Sequence, residues 1–337
     1  MSETADGLFP ALPKQRSTGI LPSQVIKELI RAREIGAAAE IDERQIQPAS
    51  IDLRLGATAY RIRASFLPGE DATVQSRIDW FGMHEIDLAG GAVLEKGCVY
   101  IVRLIETLRL SSRISGVANP KSSTGRLDVF TRLITDNATE FDRVRSGYEG
   151  PLYAEISPRA FSILVREGSR LNQMRFRRGS PTYSDESLRR LHEQVRLVHS
   201  DGGGENISGG IAVSVDLGGG GTDGLIGYKA KPHAGLIDVD KVGHYAIEDF
   251  WETVHAGPDN GIILNPNDFY VLVSKEAVTV PPDHAAEMVA YDTLVGEFRV
   301  HYAGFFDPGF GYAAGGDAGT RAVLEVRSHE VPFLVED

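Results

Sequence analysis

The chain has a single cysteine, Cys98, among its 337 residues. That excludes an internal disulfide and any cysteine-built metal cluster. Cys98 lies in the apolar run Gly97–Val102 and reads as a small buried hydrophobe. The nine histidines are scattered, and His192, His199 and His329 show no ligand spacing. No stretch reaches the ~18 apolar residues that cross a membrane. Met1 to Gln15 also lacks the apolar core of a signal peptide. These absences predict a cytoplasmic protein with no membrane partner. Positive charge is short as well, with 35 Lys and Arg against 47 Asp and Glu and a net charge of −12. A surface devoted to polymeric nucleic acid is thereby excluded, because phosphate backbones need clustered cations. A small anion held by a local cation cluster is not.

What is present fits a folded protein of two domains. Hydrophobic residues make up 42% and charged residues 24%, ordinary values for a chain that buries real cores. Leu21 to Ala38 reads as an amphipathic helix with Ser23 as N-cap and Val25, Ile26, Leu29 and Ile30 on one face. The pattern then turns to strands at Ser50–Leu55, Cys98–Leu104 and Leu108–Val117. A helical pattern returns from Ser184, again an N-cap, to Val198. Glycines at 202–204 and 209–210 follow, placing a boundary between domains 1–200 and 201–337. A further glycine run, Gly218–Gly221, lacks the Gly-Lys-Ser/Thr ending of a phosphate-cradling loop.

The second half repeats the first. Leu94–Val117 aligns with Leu264–Glu287 at a shift of 170 residues, bringing Tyr100 onto Tyr270 and Glu106 onto Glu276. At the same shift Tyr153-Ala154-Glu155-Ile156 meets Val323-Leu324-Glu325-Val326, and Ser50–Leu53 resembles Ser214–Leu217 after a small change of shift.

One loop has the composition of a ligand site. Asn119-Pro120-Lys121-Ser122-Ser123-Thr124-Gly125-Arg126 packs two cations, three hydroxyls and a glycine into eight residues. Such residues suit a phosphate chain, through charge, hydroxyl donors and close backbone approach at glycine. Composition alone favours a solvated polar turn. Downstream, Glu155 lies in a strand between apolar Ala154 and Ile156, on the same face as Tyr153.

A Ser-Ser-x-x-Arg loop, a Gly-aromatic-x-Gly turn at Gly147–Gly150 and a strand glutamate together resemble the dCTP deaminases, relatives of the trimeric dUTPases. Leu21-Pro22-Ser23 and Ile51–Gly56 also look like that family's N-terminal signature, and the resemblance covers Gly19 to Gln194. It implies two tandem dUTPase-like distorted β-barrels of the β-clip kind, mainly β with a few short helices, assembled as a homotrimer of two-domain chains. It also implies hydrolytic deamination of dCTP to dUTP and ammonia, feeding dUMP and dTTP synthesis, with dTTP a candidate inhibitor.

The resemblance gives Ser122, Arg126 and Glu155 the catalytic roles. Glu155 would be general base and then general acid, while Ser122 and Arg126 hold water and carboxylate in place. Lys121, Ser123, Thr124, Gly125, Tyr153 and Ala154 would bind the nucleotide. Asp142 takes the place of the family's turn aspartate, although Asp142-Arg143-Val144 departs from its Asp-Pro-Gly pattern. Tyr183, Arg190 and Gln194 keep the spacing of a closing tail, with Arg where the family has Lys. Magnesium is expected to arrive on the triphosphate. Zinc is not, since zinc deaminases need His-x-Glu and Pro-Cys-x-x-Cys motifs.

The second copy reads as degenerate. At the loop positions it has Ala290–Glu297, with no cation and two carboxylates. Glu325 survives there, and Asp307-Pro308-Gly309-Phe310 keeps the family turn, but without its loop that glutamate has no partner, and the second copy reads as structural. Two rival readings stand beside the deaminase. One is a dUTPase or bifunctional enzyme, suggested by Gly235–Asp240, a segment that resembles a water-positioning one. The other is a non-catalytic nucleotide sensor using the same loop.

Overall fold

A computed structural model describes residues 18–200, 206–219, 224–257, 261–289, 299–300, 304–313, 319–328 and 331–336. The protein is mainly β. Its first half is one barrel-like sheet with the spatial order Val129–Thr135, Glu149–Pro158, Val99–Arg109, Ile51–Ile62, Arg170–Arg178, Ile114–Pro120 and Arg143–Val144. Alternation decides which way these strands face. In Glu149–Pro158, Leu152, Ala154 and Ile156 enter the main core, while Tyr153 enters a second apolar cluster on the other side with Phe66, Val74 and Ile78.

The predicted helices form, shorter than predicted. The first spans Ser23–Arg31 with Pro22, not Ser23, at its N-cap. It buries Ile26 and Leu29, with Val25 and Ile30 packed against the core. It stops because Arg33 turns left-handed, at φ 60°, and Ile35–Ala37 peels away to pair with Leu108, Thr107 and Glu106. The second spans Asp185–Gln194, and the Ser184 hydroxyl caps it by accepting from the Ser187 N–H at 3.2 Å. Its Asp185 carboxylate accepts from the N–H groups of Gly209 and Gly210, and Val198–His199 pairs with Val278 and Ala277. This segment therefore packs on the second half. The run Leu108–Val117 is broken by a turn between the strands Val99–Arg109 and Ile114–Pro120. Cys98 is half-buried, its thiol 3.9 Å from a carboxylate oxygen of Glu95.

The duplication is visible in the strand register. Glu155 pairs with Ile101 and Ile156 with Tyr100, while Glu325 pairs with Val271 and Val326 with Tyr270. A small capping detail repeats too. The Tyr100 hydroxyl accepts from the Glu95 N–H at 3.0 Å, and the Tyr270 hydroxyl accepts from the Asn265 N–H at 3.3 Å.

The two halves are joined by three kinds of contact. Ile237–Asp238 adds as a parallel strand to Ile163–Leu164, and the Arg166 guanidinium grips Asp238 through two bonds of 2.7 and 2.8 Å. Phe161 and Leu127 of the first half pack with Phe250, Phe269 and Val271 of the second in one apolar cluster. Two buried arginines then cross the seam in opposite directions. Arg327 pairs with Asp128. Arg175 donates to the carbonyls of Ala286 and Phe306, lies 3.2 Å from Asp307 and stacks over Phe305. Arg175→Met should therefore strip two carbonyls and a carboxylate of their partner. We expect a loss of about 3 kcal/mol in denaturant unfolding, with Asp307→Asn losing markedly less.

Candidate active site

The loop is set by what lies beneath it. Pro120 ends its strand, and the chain turns through Lys121 into one helical turn, Ser122–Gly125. The Lys121 N–H and the Thr124 hydroxyl both donate to the Leu171 carbonyl, each at 2.9 Å. Thr124 and Gly125 are buried, so both anchor the turn and neither presents its side to a ligand. Asp128, at φ 54°, then redirects the chain into Val129–Thr135. The outcome is a fixed platform on which Ser122, Ser123 and Arg126 are exposed.

Charge is layered below that platform. Lys121 pairs with Asp52, a buried carboxylate that also has Arg170 4.0 Å away. Burial pushes the Asp52 carboxyl up, while Lys121 and Arg170 pull it down and Asp307 of the second half pushes it up again. Asp52 Oδ1 and Asn172 Nδ2 are buried without a hydrogen-bond partner among the described residues. Such orphans are uncommon and mark places where a ligand or water completes the network.

Glu155 stands elsewhere. Its Oε1 accepts from Arg132 at 2.6 and 3.1 Å, and the residue is 1% exposed. Arg132 is itself held between Phe141 and Phe130, 3.5 and 4.7 Å from the ring centroids, and bonds to Ser65 at 2.9 Å. Asp142 lies in the same group. It is left-handed at φ 62°, and its carboxylate accepts from the Leu133 N–H at 2.7 Å. Burial pushes its carboxyl up to about 7, with Arg132 opposing and Glu155 reinforcing. The structure thus brings Asp142 near Glu155 and supplies Arg132 as the cation there.

The charge of Arg126 acts on the other glutamate, Glu325 of the second half, whose carboxyl is raised to about 7 by burial with Arg126 opposing the rise. Other expected site residues are scattered. Tyr153 and Ala154 are buried in separate apolar clusters. Tyr183 meets His284, its hydroxyl 2.9 Å from Nε2, Arg190 pairs with Glu186, and Gln194 is exposed. The second copy's loop, Ala290–Glu297, falls outside the described residues. Sequence reasoning missed Asp52, Arg132, Arg170 and Arg175. Only Asp52 carried a signal, within the strand motif Ile51–Gly56. A groove of about 850 Å³, lined by Glu28, Glu34, Arg113 and Arg178 among others, lies at the far end of the strand Ile114–Pro120 and shares no residue with the loop.

The structure is a tandem pair of β-rich units with a loop of cations and hydroxyls beside their seam. Comparison with known proteins gives its family. The model of the 2'-deoxycytidine 5'-triphosphate deaminase N-terminal domain matches residues 17–180, and that of the C-terminal domain matches 184–337. The chain belongs to the dCTP deaminase family, a family of hydrolytic deaminases, in a form with a duplicated domain. It is similar to the crystal structure of 2'-deoxycytidine 5'-triphosphate deaminase from Agrobacterium tumefaciens, at 55% identity over 95% of each chain with a TM-score of 0.91. It is also 30% identical over 158 residues, 47% of this chain and 81% of the other, to a "dCTP deaminase, dUMP-forming" from Coprothermobacter proteolyticus.

The Asp142 cluster gives a pH test. A carboxyl raised from 3.8 to about 7 on folding leaves stability untouched below about pH 4, erodes it progressively up to about pH 7 and costs a constant amount above. Asn keeps the acceptor oxygen and tolerates the left-handed backbone. Asp142→Asn should match the wild type at pH 4 in urea unfolding and exceed it by on the order of 2 kcal/mol at pH 8.

Proposed function

We propose that this chain hydrolyses dCTP to dUTP and ammonia at the loop Lys121–Arg126, taking the triphosphate as its magnesium complex and using no zinc. The observation that carries the reading is the loop itself. Ser122, Ser123 and Arg126 are exposed on a pinned turn, and their side chains make no hydrogen bond or ion pair with other described residues. Hydroxyls and a guanidinium in that state are available to a polyanion and to a water.

The chemistry needs a nucleophilic water, a carboxylate and a cation. Water adds to C4 of the cytosine ring as the carboxylate passes its proton to N3. The new hydroxyl then gives its proton through the same carboxylate to the amine, the C4–N bond breaks, and ammonia leaves a C4 carbonyl behind. Ser122 would hold the water, and Arg126 would favour the ionised carboxylate. Lys121 and Ser123 would hold phosphate oxygens. No step calls for a metal at the ring. The paired cysteines of the zinc deaminases cannot come from a chain with one cysteine.

The relative described as dUMP-forming raises the bifunctional reading. Against it, Gly235–Asp240 has a structural task in this chain. Ile237–Asp238 is a paired strand, Asp238 is gripped by Arg166, and Asp240 accepts from the Ser169 hydroxyl at 2.7 Å. A carboxylate so engaged does not position a water, which favours release of dUTP. A trimeric assembly, inhibition by dTTP at the same loop and a cytoplasmic location belong to the same proposal. No helix among the described residues is long and apolar enough to cross a membrane.

The test is ammonia release from magnesium dCTP after exhaustive chelation of transition metals, with the nucleotide product identified. We expect undiminished turnover with dUTP as product, and a fall of at least a hundredfold in Arg126→Ala. Wild-type protein that binds dCTP but releases no ammonia would leave the sensor reading in its place.

A further inference from the structure

We infer that the carboxylate working with Ser122 and Arg126 is Glu325 of the second half, so that the active site is composite, spanning the seam between the two copies within one chain. The inference rests on the deaminase reading and names its base. Three observations place Glu325 there. First, Leu324 and Val326 point into the core of the second half, so Glu325 and Arg327 share the opposite face of their strand. Second, that face lies against the loop of the first half. Arg327 pairs with Asp128, both residues being buried, and Val271, the cross-strand partner of Glu325, packs against the same apolar cluster as Leu127 and Phe130 of the first half. Glu325 lies two residues before Arg327, roughly 7 Å along its extended strand, and Arg126 lies two residues before Asp128 within the turn that closes the loop, which brings the carboxylate toward the guanidinium. Third, the turn Asp307-Pro308-Gly309 reaches the base of the same loop, with Asp307 against Arg175 and close enough to Asp52 to raise it.

The surroundings of the two glutamates separate their roles. Glu155 is bound by a guanidinium that two aromatic rings enclose, and no hydrogen bond or ion pair ties it to the loop. Such an arginine engages one carboxylate oxygen, Oε1, while Oε2 is buried with no hydrogen-bond partner among the described residues. Glu325 forms no ion pair within 4.0 Å among the described residues, and burial brings its carboxyl to about 7 with Arg126 acting against the rise. A proton shuttle needs a group that takes and returns a proton near neutral pH. The second copy therefore supplies the base, and the first copy supplies the loop.

Turnover of Glu325→Gln and Glu155→Gln on magnesium dCTP, with binding measured by calorimetry, tests this. Glu325→Gln should keep dCTP affinity within about threefold while kcat falls by 10²–10⁴, and Glu155→Gln should keep kcat within about tenfold. Glu325→Asp, which keeps the charge and shortens its reach, is the second variant if the first does not fold, and should also lose kcat at near-constant affinity. Mixing separately inactive Arg126→Ala and Glu325→Gln chains, refolded together, should restore nothing, because both groups belong to one chain's site. Active Glu325→Gln beside inactive Glu155→Gln overturns the assignment while leaving the deaminase intact, and recovery on mixing overturns its within-chain form. An inactive wild type removes the deaminase reading and the assignment together.

Discussion

The buried pair of Arg327 and Asp128 is the constraint on which the seam depends. Asp128 is fully buried, sits in a left-handed conformation and ends the loop turn, while Arg327 is 4% exposed on the facing strand. Neither charge would survive burial alone, because desolvating an unpaired ion costs several kcal/mol. Each half thus carries a charge that is tolerable only when the other is docked. Arg175 repeats the logic in the opposite direction, its guanidinium finding carbonyls at Ala286 and Phe306 that its own half does not offer. The apolar cluster around Phe161, Phe250 and Phe269 supplies the non-directional attraction, and the two arginines fix the register.

Duplication left the strand pattern intact and changed what surrounds it. Glu155 and Glu325 occupy equivalent places, each paired across the strand with a β-branched apolar residue. Around Glu155 the chain adds the segment carrying Phe66, Val74 and Ile78 and the connection carrying Phe141 and Asp142, which close over Arg132. On the strand of Glu325, Arg327 meets Asp128 of the first half. Equivalent backbone positions therefore hold carboxylates with opposite electrostatic surroundings, one neutralised at contact distance and one buried with a cation further off.

Much of the fold was legible because it follows from local patterns. Period-two alternation gave the face of Glu155, helical spacing gave Ile26 and Leu29, and the 170-residue repeat matched the strand register of both halves. Lengths were less legible, since Arg33 ends its helix through a left-handed turn that no glycine announces. The grouping of the site was the least legible. Alternation says which side of a strand a carboxylate takes, not which segment covers that side. Reading each copy alone pairs Glu155 with Arg126 by proximity in sequence and leaves Glu325 without a cation. Arg132, the residue that occupies Glu155, differs from a solvated strand arginine only through Phe130, Phe141 and Ser65, which converge on it from separate parts of the chain.

A base and a binding loop on different copies also alters how the chain can diverge. In a single unit, losing either element ends activity. Once two units are joined and docked, each copy can lose one element, provided the survivors face each other across the seam. The second copy's cation-free loop and the first copy's arginine-bound glutamate are both compatible with such losses, and the seam contacts are what make them harmless. On this assignment docking and catalysis share one cause. The pair of Arg327 and Asp128 that makes the two halves adhere also sets the depth of Glu325 and its separation from Arg126, and hence how readily that carboxyl exchanges a proton.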